Sequence, residues 1–306
     1  MANASISPIV VAGTIAIDTV SSPFGKAERV LGGSAMYFAA AASLFTPVNV
    51  VSVVGEDFGP EHWKEMTHPE VDLSGVETLP GKTFSWGGIY RKDINRRDTL
   101  FTELGVLERF NPVLPESYRS CQTVFLANVD PVVQLKVLDS LEKPEFVVLD
   151  TMNYWINNNR SRLEEVIARS DVIIINDDEA RELTGELNLP GAMEEIQQLG
   201  PPVVVVKKGE HGALLADSGD LFALPGLPLK TVCDPTGAGD SFAGGFVGYI
   251  QRSGSHANQV LRTAVAYGSA VASFCCEDFS ANRLRILEVE ELDRRVDQFR
   301  RLVEFQ

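Results

Sequence analysis

Cysteine is scarce and unpatterned in this 306-residue chain: Cys121, Cys233, Cys275 and Cys276 form no C-x-x-C pair and show no metal-like spacing to the four histidines. That excludes the common structural zinc sites. The adjacent Cys275 and Cys276 make a poor structural disulfide, so reduced thiols are expected. Long apolar runs are also missing, since the longest, "AMYFAAAASLF" at 35–45, is too short to cross a bilayer. Basic charge is in deficit: 27 Lys+Arg against 42 Asp+Glu give a net charge of −15. Such a balance argues against nucleic acid and anionic membrane surfaces as partners. No basic residue precedes Lys26, so the apolar "PIVVAGTIAI" lacks the charged start of a signal peptide and a cytoplasmic location is expected.

What is present is ordinary globular composition, 44% hydrophobic and 23% charged, without repeats, low-complexity tracts or long linkers. Short β-branched runs recur: "IVVAG" (9–13), "VNVVSVVG" (48–55), "TVFLAN" (123–128), "FVVLD" (146–150), "VIIIN" (172–176) and "VVVVKK" (203–208). Most are apolar throughout, as in strands buried on both faces of a parallel sheet. Helical periods lie between them, at 131–143 and 161–170, and the chain after Asp240 reads as almost wholly helical. The expected fold class is therefore α/β, a mostly parallel sheet with helices on both faces. Residues 14–31 and 83–104 break the rhythm and read as exposed antiparallel β-structure. They serve either as a small lid over a site or as a surface hairpin or oligomer interface. The expected division is a core of 1–13, 32–82 and 105–306 with a β-lid of 14–31 and 83–104.

The chemistry concentrates in "DPTGAGDSFAGGF", Asp234 to Phe246. Pro235 holds Asp234 extended and ends a strand. Gly237 and Gly239 leave the backbone bare, and a helix starting near Ala238 points unsatisfied N–H groups and its positive dipole end outward. That is an anion site. Asp240 beside it would repel the anion unless a third group lies between them. A hydroxyl attacking a phosphoryl group, with Asp240 accepting its proton, is such a group. The alternative is a glycine-rich turn with Asp240 as a favourable first-turn charge. The stretch matches neither G-x-x-x-x-G-K-[ST] nor G-x-G-x-x-G.

It does resemble the D-x-x-G-A-G-D signature of the ribokinase-like carbohydrate kinases, the phosphofructokinase-B family. "LGGSAMYFAAA" (31–41), "IINDDEAREL" (174–183) and "VVVKKGEHGALL" (204–215) are similar to further family elements in the same order, over nearly the whole chain. The resemblance implies a ribokinase-like fold and an ATP-dependent kinase acting on a hydroxymethyl group of a sugar or nucleoside. A catalytically silent sugar- or nucleotide-binding regulatory protein of the same fold is the alternative. It implies Asp240 as base and the amides of Gly237, Ala238 and Gly239 as anion hole. Asn176 and Glu179 would organise Mg²⁺ through its waters, or act only as an N-cap and first-turn acid. Lys207 would touch the nucleotide phosphates, or be a solvated strand end, and Gly209 and Gly212 would form a turn beneath the nucleotide. Asp234 and Thr236 match positions near a monovalent-cation site, with K⁺ as candidate. Asp18 would grip acceptor hydroxyls, or begin an Asx turn, and Gly32 and Gly33 would let the acceptor approach backbone. Tyr37 and Tyr267 stand where the family often has asparagine. Tyr37, Phe38, Trp86 and Tyr90 would stack on a nucleobase or pack lid and core. A homodimer through the lid is the expected assembly.

Overall fold

The apolar runs become the interior strands of one large sheet in the computed structural model, which describes residues 6–304. The strands are β1 (Ile9–Ala12), β2 (Ala16–Ser22), β3 (Gly25–Gly32), β4 (Val48–Gly55), β5 (Val71–Leu79), β6 (Ser85–Tyr90), β7 (Arg97–Glu103), β8 (Thr123–Leu126), β9 (Phe146–Asp150), β10 (Val172–Asn176), β11 (Val203–Lys207), β12 (Ala213–Asp217) and β13 (Asp220–Leu224). The helices are α1 (Ser34–Ala42), α2 (Pro60–Met66), α3 (Pro131–Ser140), α4 (Asn153–Asn158), α5 (Arg160–Ile167), α6 (Asp177–Thr184), α7 (Leu189–Gln198), α8 (Ala238–Ser253), α9 (Asn258–Cys275), α10 (Asn282–Arg285) and α11 (Val289–Val303).

The nine-stranded sheet runs β13-β12-β11-β10-β9-β8-β1-β4-β5, parallel from β11 to β5, with β12 and β13 added antiparallel at one edge. Side chains alternate between its faces, so each strand feeds two cores. Ile9 and Val11 pack with Phe38, Phe246 and Phe274 beneath α1, α8 and α9. Val10 and Ala12 pack with Leu163, Ile167 and Met193 beneath α3, α5 and α7. The order reverses at β1, whose neighbours are β4 and β8. In such sheets ligands bind beyond the carboxyl ends of the strands at this switch. Asp150, Asn176 and Lys207 end β9, β10 and β11 at that edge. Among the described residues no helix is long and apolar enough to cross a membrane.

Residues 14–31 and 83–104 meet in a separate four-stranded sheet of order β3-β2-β6-β7. Two features differ from expectation. β2 and β6 pair in parallel, Ile17 to Ser85 through Ser21 to Ile89, because two antiparallel hairpins from distant segments lie side by side. The first segment is also only partly exposed: Ile15, Ala16, Ile17, Asp18, Val20 and Leu31 are buried while the first half of β3 is largely exposed, and every residue of β7 is exposed.

Candidate active site

α8 begins where the glycines predict. Gly237 is its N-cap, in the left-handed region at φ 77°, and the first turn has no side-chain cap. A Cβ at Gly237 would collide with the ring of Tyr37, which lies directly beneath the loop. Tyr37 is 2% exposed, so the residue expected at the acceptor instead supports the glycine turn. The anion hole is also narrower than expected, because the Ala238 N–H donates to the Pro235 carbonyl at 3.1 Å. The amide of Gly239, at the second helical position, has no intrahelical acceptor, while that of Asp240 bonds its own carboxylate.

Lys207 is not a solvated strand end. Its Nζ lies 3.0 Å from Asp150 Oδ2, and both side chains are largely buried, 16% and 6% exposed. A Cβ at Gly239 would lie 3.1 Å from that Nζ, so the ammonium sits against the start of α8. Burial works against its charge, but Asp150, Glu179 and Asp240 outweigh it and raise the pKa above the ordinary lysine value. Burial likewise pushes Asp240 up to about 7, helped by Asp150 and opposed by Lys207. Glu179 is raised to about 7 for the same reasons, with Asn176 contacts opposing.

Asn176 and Glu179 form a capping box on α6: Glu179 N–H donates to Asn176 Oδ1 (2.8 Å), and Asn176 N–H donates to Glu179 Oε2 (3.0 Å). The N-cap reading therefore holds structurally, and Glu179 also feels the charges of Asp150 and Lys207. Among the described residues no group of three or more His, Cys, Asp or Glu converges to hold a metal ion by itself.

Across the cleft, Asp18 lies inside β2 rather than in an Asx turn. It is 5% exposed and its Oδ1 has no hydrogen-bond partner. Burial and then Asp234 push its pKa up to about 7, with the Trp86 backbone amide opposing. A Cβ at Gly32 would fall on the Asp18 carboxylate, so glycine there permits the approach. Gly33 caps α1 at φ 98°. Asp234 is 1% exposed and accepts from Thr236 N–H at 2.9 Å, leaving buried Oδ2 unpartnered. The Thr236 hydroxyl meets the Tyr90 hydroxyl at 3.2 Å, joining the small sheet to the glycine loop.

Trp86 pairs with Asp18 across β2 and β6, and Trp86, Gly88 and Tyr90 share the same face by period two. The Trp86 ring crowds Gly88, where a Cβ would collide with it, and the Arg97 guanidinium sits 5.0 Å above that ring. Phe38, by contrast, is core, stacked on Phe125 with centroids 4.3 Å apart. Gly209 and Gly212 bound the short turn between β11 and β12. There Asn95, from the tip of the small sheet, donates to Glu210 at 2.9 Å. Tyr267 stacks on Tyr249 and donates to Asp293 at 2.7 Å, bridging α9 to α11. Sequence reading missed Asp150 and Arg97. Asp150 had a signal, a carboxylate closing an apolar strand at the ligand-binding edge; Arg97 had none in the exposed "KDINRRD".

The sequence matches the pfkB family carbohydrate kinase profile over residues 15–286. It is 34% identical over 251 residues to the cytidine kinase of Thermococcus kodakarensis, covering 80% of this chain and 88% of that protein. Among solved structures, the Methanocaldococcus jannaschii nucleoside kinase, an archaeal member of the ribokinase family, superposes with a TM-score of 0.75 at 20% identity, covering 96% of this chain and 99% of that one. The putative ribokinase II of E. coli in complex with ATP and Mg²⁺ gives 0.77 at 18% identity, covering 95% and 99%. The fold is ribokinase-like, and the chain belongs to the pfkB family of carbohydrate kinases.

Proposed function

We propose that this kinase transfers the γ-phosphoryl group of MgATP to the hydroxymethyl group of a nucleoside. Asp240 takes the proton of the attacking hydroxyl, and the free amide of Gly239 at the start of α8, with Lys207, receives the charge on the phosphoryl oxygens. The hard oxygen donors of Glu179, with Asn176 holding it in place, would hold Mg²⁺ through its waters. That ion, when bound, neutralises phosphate charge. The E. coli neighbour's ATP and Mg²⁺ support the same pairing. The unpartnered Oδ2 of Asp234 is the candidate ligand for K⁺. The small sheet acts as the lid, its contacts from Tyr90 to Thr236 and Asn95 to Glu210 closing the cleft against water.

The observation that carries a nucleoside over a free sugar is the stacked Trp86 and Arg97 on the Asp18 face of the small sheet. Asp18 supplies acceptors for a sugar diol, and the Arg97 guanidinium, held over the Trp86 ring, can stack on a base and donate to its carbonyls. The likeness to a cytidine kinase supports the same reading. In an ADP-release assay, the best ribonucleoside should exceed the best pentose or hexose in kcat/KM by about 10²-fold. Trp86→Ala should cost nucleosides about tenfold or more and leave sugars unchanged, as base stacking contributes roughly 1–3 kcal/mol. A preferred free sugar would overturn the assignment.

The lid also offers an assembly surface. Leu100, Phe101 and Leu104 are 60%, 38% and 42% exposed along or just beyond the open edge strand β7. A homodimer through this edge should sediment as a dimer at micromolar concentration, and a persistent monomer rejects it.

A further inference from the structure

We infer that Asp150 is a positioning residue that fixes Lys207, through a buried ion pair reaching across β10, with its ammonium against the start of α8. The inference rests on the kinase reading above, in which that ammonium meets the phosphoryl group. In register, Lys207 pairs with Asn176 and Asp150 with Ile174, so the lysine leaves β11, passes the end of β10 and meets its partner on β9. Both Asp150 oxygens are engaged, Oδ2 by Lys207 at 3.0 Å and Oδ1 by the Thr151 N–H at 2.7 Å. The backbone beneath is anchored by Gln134, itself 1% exposed, whose side chain donates to the Asp150 carbonyl at 3.2 Å.

Each Asp150 oxygen thus already holds a partner within the protein. What it controls is where the ammonium rests. A lysine stem is flexible, and Glu179 and Asp240 also face this one. Without Asp150, Lys207 would turn to either carboxylate, leaving Gly239 and covering the proposed base. A permanent counterion on β9 keeps the lysine at the phosphoryl position and Asp240 free.

The test is a cycle of Asp150→Asn, Lys207→Met and the double variant, measured with MgATP and the best nucleoside. Asp150→Asn should raise the ATP KM about tenfold and lower kcat about 10–100-fold, with the nucleoside KM within about twofold. Adding it to Lys207→Met should change neither constant by more than about twofold, because a residue acting through Lys207 has nothing left to position. A merely structural defect would reduce the active fraction without moving the ATP KM. Asp150→Asn within about twofold of wild type, or a loss that multiplies with that of Lys207→Met, overturns the inference. Should Asp150→Asn fold poorly, the double variant lacks both charges and decides alone: equal to Lys207→Met supports the role, lower overturns it. If wild type turns over no acceptor, the kinase reading fails instead. Calorimetric ATP affinities of the same proteins then run the same cycle.

Discussion

Asp240→Asn is expected to lower kcat by about 10²–10⁴-fold while ATP affinity stays within about threefold. The substitution keeps size and shape but removes the acceptor for the hydroxyl proton. Asp240 sits in the first turn of α8, beside the Gly239 amide that no capping side chain satisfies and near Lys207. Those groups bind phosphate whether or not position 240 is ionised, so the loss falls on the chemical step. Turnover like wild type would remove Asp240 from the role of base.

The same residue sets a pH dependence whose sign is fixed. Burial raises the Asp240 pKa to about 7, so the base is protonated and inactive on the acid side. Wild-type kcat/KM should then fall by at least about tenfold per pH unit below this value, and more steeply where the similarly raised Asp18 and Glu179 protonate in the same range, since that ratio reports the free enzyme's groups. A profile flat from about pH 5 to 8 contradicts a base raised by burial.

These expectations were largely readable from the chain. "VNVVSVVG", "FVVLD" and "VIIIN" became β4, β9 and β10 because strands buried on both faces need unbroken apolar runs. β5 escaped notice because "VDLSGVETL" lies at the sheet edge, where half of its residues face solvent and no apolar run is required. Periodicity identified the hairpins of the small sheet but carries no information on which edges meet, so the parallel pairing of β2 with β6 was invisible. The glycine loop advertised itself through residue types. The Asp150–Lys207 pair spans 57 positions and depends on strand order, which neither residue encodes locally. Tyr37 shows the opposite limit: its position in the motif was plain, yet only the packing reveals the ring beneath Gly237.

Asp18→Asn carries the second large effect, and it has two faces. The buried carboxylate with an unpartnered Oδ1 awaits donors, and a sugar diol supplies them. Losing charge-assisted hydrogen bonds to two hydroxyls should reduce kcat/KM for the nucleoside by about 10²–10³-fold, mainly through its KM, with ATP KM unchanged. The ligand-free protein should become more stable, because an ionised carboxylate held without full satisfaction opposes folding. The sign follows from the folded pKa of about 7, well above the ordinary aspartate value. The carboxyl is accommodated best when protonated, and that advantage is lost as pH rises through 7. The variant's gain in Tm, on the order of 2 °C or more, should therefore be present at about pH 8 and shrink toward pH 5. Scanning calorimetry at both pH values checks it. A variant that binds nucleoside normally, or that loses stability at about pH 8, would show that Asp18 already has its partners within the protein.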